Sequence, residues 1–480
     1  MKKFIAMLLA AVVLFSCTFG VVAAEADSKV VPVVIVRGMD FGGLIIDQGT
    51  ENERPALSVE AGLIVLGVFK ALFMGLFGGM DGLVDGVIDI VGGIFAPLAC
   101  DANGNTIEKI TVKEFPKAMS NYPEEVASYR SEGTDSEPGV VATACDIYGA
   151  DKVYYVTYDW RLDPYETAKK INDRVNLALK EHKADKVDII CCSLGGVMTQ
   201  AYFDAFGYEK VDSCLFLSSA IYGSYCSSDP YAGKVGFDKE ILYNFLNTTL
   251  SDMGWLWTML DMMGITDSLL SFANNLAEDY KEEIYAQVMR ETFGTWPGLW
   301  GMQQTEDYEA AKVTIFGNET AKYAKLIEKM DRYQNYRLKR DDFLRGMQAD
   351  GVKISLIASY NKPAIPAFER SYVNSDQVLE TELMSAGATV APFGKTLGDD
   401  YVAADPAKLS PDRVIDASTC LFPDNTWFIK DAPHVCCRYG SQVAELVFWL
   451  IGSETQPTVN DNIRYPQFTL ADAQQNLYRY

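Results

Sequence analysis

The sequence predicts an α/β protein built on a mostly parallel, doubly wound sheet. Three features point there: short apolar runs rich in β-branched residues recur along the chain, helical patterns lie between them, and one run ends in a serine-containing turn that opens an apolar helix. The runs are Val30 to Val36 (interrupted near its start by Pro32), Val153 to Tyr158, Val187 to Cys192, Cys214 to Leu217, Ile354 to Ala358 and Trp427 to Ile429. Continuous apolar runs suit strands covered on both faces, as a parallel sheet requires. Helical patterns start at Pro164, where proline fits a first turn, and run to about Leu179, then from Gly195 to Ala205 and from Val443 to Ile451.

Charge and the N-terminus narrow the function classes. With 65 acidic against 42 basic residues and a net charge of −23, the chain repels polyphosphate. No basic stretch interleaved with aromatics offers a nucleic-acid surface, and a neutral or apolar substrate fits better. Lys2 and Lys3 form a positive n-region, Phe4 to Phe15 an apolar h-region, and Ala23, Ala24 and Ala26 supply small residues for cleavage. Residues 1–26 therefore read as a signal peptide and 27–480 as a secreted or cell-surface domain. Leu14-Phe15-Ser16-Cys17 approximates a lipoprotein box, but Phe15 is bulky for that motif, so export without a lipid anchor at Cys17 is the expectation. The remaining cysteines (100, 145, 191, 192, 214, 226, 420, 436 and 437) are odd in number and include two adjacent pairs, unlike a disulfide framework. Two histidines in the whole chain leave no histidine-built metal site, and no metal or cofactor is expected.

Two insertions interrupt the alternation. The first, 41–120, centres on the apolar, glycine-rich stretch Ala61 to Leu98, which Lys70 breaks before it reaches membrane-spanning length. Asp81, Asp85 and Asp89 would share one helical face opposite Leu83, Val87 and Ile90. This stretch reads either as a buried helical hairpin or as a lid that docks on micelle or membrane surfaces. The second insertion, 221–350, is helical in pattern and holds Trp255, Trp257, Trp296 and Trp300 with Met253, Met259, Met262 and Met263, the composition of a helical cap. Asn361 to Leu409 reads as a long excursion of weak periodicity, and the tail after Ser453 as irregular surface chain.

The chemistry concentrates at Asp188-Ile-Ile-Cys-Cys-Ser193-Leu194-Gly195-Gly196, a strand, a sharp turn and a helix. This is the context of a nucleophile elbow, with Cys191 where the common G-x-S-x-G pattern has its first glycine. Ser131-Glu-Gly133 and Ser385-Ala-Gly387 share the tripeptide but follow no apolar strand. A serine nucleophile needs a base. His182 lies upstream in a charged helix end, so His434, downstream of the last strand Thr426 to Lys430, is the base. For the acid that orients it, Asp412 in Ser410-Pro-Asp-Arg-Val-Ile415 fits best, with Asp416 as the alternative. Asp424 lies too near the last strand; Asp399 and Asp400 are weaker candidates. The backbone amides of Leu194, after the nucleophile, and of Met39, in the loop after the first strand, are the expected oxyanion donors. Arg37 stands where lipases usually carry His in that loop, and a structural ion pair is its simplest role.

Tyr158-Asp159-Trp160-Arg161-Leu162-Asp163-Pro164, followed by Ser193-Leu194-Gly195-Gly196, resembles the lecithin–cholesterol acyltransferase and lysosomal phospholipase family over about Lys152 to Phe206. The resemblance implies an α/β-hydrolase fold and hydrolysis or transfer of fatty acyl groups through an acyl-serine. It also implies that Asp159, Trp160 and Arg161 border the substrate pocket; a buried, ion-paired turn bracing the sheet is the other reading of that stretch. The family's acid motif is absent and both insertions differ. The expectation is thus a secreted serine hydrolase cleaving carboxylic ester bonds of lipids. An acyltransferase of the same fold, or a non-catalytic surface-binding protein with a vestigial elbow, stands as the alternative.

Overall fold

The computed structural model describes residues 31–57, 94–131, 134–249, 259, 261–262 and 264–480. The leader, Cys17 and nearly all of the apolar stretch 61–98 lie outside these residues, as do Met253, Trp255, Trp257 and Met263.

Eight strands make the central sheet: β1 (Val33–Val36), β2 (Val153–Val156), β3 (Val187–Cys192), β4 (Val211–Leu217), β5 (Lys353–Tyr360), β6 (Thr426–Lys430), β7 (Phe468–Ala471) and β8 (Leu477–Arg479). Their spatial order is β8-β7-β6-β5-β4-β3-β1-β2. All neighbours run parallel except the final β7–β8 pair. Every run expected to be a strand is one. The tail after Ser453 is not irregular: it returns to the sheet as β7 and β8. Its strands are only four and three residues long, and β8 alone forms the edge, so they give no apolar run to read.

The strand side chains divide between two cores by the period of two. Val34, Val36, Ile189 and Cys191 pack under α2 (Pro164–His182) and α3 (Gly195–Phe206). Val33, Ile35, Ile190 and Cys192 pack under α1 (Ser136–Tyr148) and α4 (Gln442–Ile451). Helices on both faces explain why β3 is buried at all six positions. Asp163 caps α2, its carboxylate accepting from the Tyr165 amide at 3.0 Å, and Pro164 supplies the first turn.

The second insertion is helical among its described residues, with helices Tyr225–Tyr231, Lys239–Thr249, Ile265–Asp279, Ala324–Arg337 and Arg340–Ala349. Trp300, Tyr308, Phe316 and Tyr323 form its aromatic core. Of the first insertion, Ile45–Ile46, Arg54–Pro55 and Ile110–Thr111 pair as a small antiparallel sheet. Among the described residues no helix is long and apolar enough to cross a membrane, and the nine cysteines are unpaired.

One buried group makes stability depend on pH. Asp188, second in β3, is 2% exposed, and its Oδ1 has no hydrogen-bond partner. Burial, reinforced by the nearby Asp212 charge, pushes its carboxyl up to about 8. In the unfolded chain an aspartate ionises near pH 3.9. Between these values the unfolded state therefore binds fewer protons, and stability falls as pH rises through that window. Urea titrations should show wild type losing stability relative to Asp188→Asn between pH 5 and pH 8, by up to about 1.4 kcal/mol per pH unit. A difference that stays constant over that range would contradict the assignment.

Candidate active site

Ser193 follows the last residue of β3 and precedes α3, and its φ is +51°. A non-glycine residue in this left-handed region is strained by roughly 1–3 kcal/mol. Backbone bonds hold it there. Its amide donates to the Leu217 carbonyl at 3.3 Å, and its carbonyl accepts from Gly196 N at 3.0 Å, Ala220 N at 2.9 Å and Ser219 Oγ at 3.1 Å. The small residues after it are sterically required. A Cβ on Gly195 would lie 2.6 Å from the carbonyl oxygens of both Val36 and Arg37, and one on Gly196 would lie 2.1 Å from Ser219 Oγ. Cys191 is accommodated because its side chain is directed away under α3, with Sγ 3.5 Å from the Leu215 carbonyl.

His434 stands in the turn after β6, and its Nε2 is 2.9 Å from Ser193 Oγ. Its Nδ1 is 2.6 Å from Asp376 Oδ2. With Nδ1–H donating to the carboxylate, Nε2 is free to accept the serine proton. Burial works against the imidazolium, but the Asp376 carboxylate, by charge and by hydrogen bond, and Glu137, by charge, outweigh it and raise His434 above its ordinary 6.5. His182 is remote from this group: it sits beside the start of β2, with Nε2 2.9 Å from the Asp151 carbonyl and 3.1 Å from Tyr154 Oη.

The carboxylate at His434 is thus neither of the two that the sequence offers first. Asp412 is engaged elsewhere, accepting from Ser410 Oγ (2.7 Å), Lys430 Nζ (3.0 Å), Tyr480 Oη (2.7 Å) and Tyr360 Oη (3.3 Å). Asp416 caps a short helical turn through Ser418 N (2.9 Å) and accepts from Tyr401 Oη (2.8 Å). Asp376 lies in the excursion after β5, 58 residues before His434. It is fully buried, and its Oδ1 accepts from the amides of Val378 (3.0 Å) and Leu379 (2.8 Å), which leaves Oδ2 aimed at the imidazole. A sequence signal for it existed: Asp376-Gln-Val-Leu379 has the same Asp-x-Val-aliphatic shape as Asp412-Arg-Val-Ile415.

Leu194 opens α3 in helical backbone geometry, so its amide lies at the positive end of that helix, next to Ser193. The loop carrying Met39 is held from below by the Tyr158–Arg161 stretch. Tyr158 Oη donates to the Arg37 carbonyl at 2.8 Å, and Trp160 Nε1 to the Asp40 carbonyl at 3.0 Å. Arg37 pairs with Asp40, an intraloop ion pair. Asp159 and Arg161 take the second of their two expected arrangements, a buried ion-paired turn. The fully buried guanidinium binds the carboxylate twice, at 2.9 and 2.6 Å, and donates also to the Leu98 carbonyl at 2.6 Å. Trp296 of the cap shares that carbonyl at 2.8 Å. Removing one partner strands a buried charge. Arg161→Met should lower stability by about 3 kcal/mol or more, read as a shift in the urea midpoint; an unchanged midpoint would show the pair to be dispensable.

No protein-family model matches the chain, and no curated protein matches it. Three solved chains match. One, from the crystal structure of the Tle4-Tli4 complex, aligns at 14% identity over 42% of this chain and 48% of that chain, about half its length, with a TM-score of 0.24. A likeness of that order leaves the chemistry to the geometry of Ser193, His434 and Asp376.

Proposed function

We propose that the protein is an exported serine hydrolase that cleaves carboxylic ester bonds, lipid esters above all, through an acyl-serine. The observation that carries the reading is the unbroken chain from Ser193 Oγ to His434 Nε2 (2.9 Å) and from His434 Nδ1 to Asp376 (2.6 Å), with the serine on a strained elbow. Ser193 Oγ attacks the acyl carbonyl while His434 takes its proton. The amides of Leu194 and Met39 receive the oxyanion. Collapse of the tetrahedral intermediate breaks the C–O bond to the alcohol, which leaves with the proton from His434. Water, deprotonated in turn by His434, then releases the acid and restores the serine. Asp376 keeps Nδ1 protonated and stabilises the imidazolium.

Preference for lipids rests on the resemblance around Tyr158–Arg161 and on the apolar composition of 61–98. Export rests on the leader-like residues 1–26.

A fluorophosphonate probe should label the wild type and not Ser193→Ala; absence of labelling in folded wild type would remove the reading. Asp376→Asn should lower kcat by about 10³–10⁴-fold, while Asp412→Asn should leave it within a few-fold. The reverse order would reinstate Asp412. Because the base must be neutral and His434 is raised, the acid limb of kcat/KM should fall above pH 6.5, activity being lost as pH drops through it. Hydrolysis of long-chain esters should rise when they are presented as micelles or vesicles; short soluble esters hydrolysed with no such gain would argue against a lipid substrate.

A further inference from the structure

We infer that Glu137 is a positioning residue for the oxyanion loop: together with the Tyr158 hydroxyl it holds both ends of the Arg37–Gly38 peptide, fixing the amide of Met39 beside Ser193. The inference rests on the serine-hydrolase reading above. Gly38 N–H donates to Glu137 Oε1 at 2.9 Å, and the carbonyl of that same peptide accepts from Tyr158 Oη at 2.8 Å. A peptide held at its N–H and its C=O cannot rotate about its flanking bonds without breaking one of them. Gly38 is also wedged in space. A Cβ there would lie 2.7 Å from Glu137 Oε1 and 2.7 Å from Ser193 Cβ, so carboxylate and nucleophile flank one point. With the Asp40 carbonyl tied to Trp160, the loop is fixed on both sides of Met39.

Glu137 is itself placed by the His434 turn. It stands in the first turn of α1, half-buried, and Gly139, two residues on, packs so closely that a Cβ would meet the Cys437 carbonyl at 2.0 Å. Asp135 accepts from Gln475 Nε2 at 2.8 and 2.9 Å, and Gln475 Oε1 accepts from Arg438 N at 2.6 Å. The start of α1 therefore locks to the residues just after the base.

The position has an electrostatic consequence. The ionisable groups acting on His434 are Asp376, on the acid turn, and Glu137, on α1. Arg37, itself paired with Asp40, faces Glu137, as do Tyr155, Tyr158 and Cys192, which burial keeps neutral; Cys436 faces Asp376. A negative Glu137 favours the imidazolium that forms as Ser193 attacks. The Gly38 amide and the Arg37 cation temper its repulsion of the oxyanion.

Glu137→Gln keeps an oxygen for the Gly38 amide and removes the charge; Glu137→Ala removes both. In each, the acid limb of kcat/KM should move to lower pH by about half a unit. Glu137→Ala should in addition lose kcat by about tenfold or more. Tyr158→Phe, which frees the other end of the peptide, should lose kcat without moving the limb. Fluorophosphonate labelling of Ser193 and a cooperative melt certify each variant, and if Glu137→Ala does not fold, the limb of Glu137→Gln decides. Labelled, folded variants with an unmoved limb and wild-type kcat overturn the inference alone. Wild type that resists labelling removes the hydrolase reading, and this inference with it.

Discussion

The site depends on one constrained residue, Ser193, held at φ +51° between β3 and α3. A strand that turns directly into a helix must lift its apex residue out of the sheet, and the backbone strain of doing so is offset by the three donors on the Ser193 carbonyl. The same turn drives the start of α3 against the end of β1, where only glycine fits beneath the carbonyls of Val36 and Arg37. Ser193 and the loop after β1 are therefore not two features brought together by chance. The close approach that creates the elbow also sets where Arg37, Gly38 and Met39 begin, and the Tyr158–Arg161 turn then fixes how they continue.

In a chain with 65 acidic residues and two histidines, the question at the base is which carboxylate has an oxygen to spare. Asp412 has none: serine, lysine and two tyrosines take its lone pairs. Asp416 spends its oxygens on a helical cap and Tyr401. Asp376 spends one oxygen on two backbone amides and keeps the other for His434. The amides do two things at once. They fix the carboxylate's direction, and they satisfy a buried charge that would otherwise be costly.

Ser193 and His434 are legible in the sequence because each depends on local pattern: an apolar strand running into an apolar helix, and one histidine placed after the last long strand. The carboxylate that meets His434 is not local in that sense. Its turn follows β5, but Lys362–Pro363 and Asn374–Ser375 intervene as a small antiparallel pair, and no apolar period marks the path. Downstream of Ser193, an Asp-x-Val followed by Ile or Leu occurs at Asp376 and at Asp412, and spacing to the last strand favours Asp412, which does not meet His434. What separates them is Lys430 and Tyr480, partners of Asp412 that the fold brings from β6 and the C-terminus. The tail was illegible for a related reason. Strands of four and three residues carry too little pattern, so β7 and β8 read as irregular chain until their pairing is seen. Glu137 carried no motif at all: its role follows from α1 meeting the turn after His434, a contact between distant segments.

These distant segments converge because the acid turn is braced from two directions. Asn361 N donates to Asn374 Oδ1 at 2.6 Å, and Asn361 Nδ2 donates to Asp431 Oδ1 at 2.6 Å, which ties the turn to the segment leading to His434. On its other side Glu380, fully buried, accepts from Ser224 Oγ at 3.2 Å and Cys226 N at 3.1 Å, at the start of the first cap helix. Burial pushes the Glu380 carboxyl up to about 7. The turn that carries Asp376 is thus tied on one side to the segment before His434 and on the other, through Glu380, to the start of the helix at Tyr225–Tyr231. That helix bonds the chain at Glu380, directly after the Val378 and Leu379 amides that orient Asp376.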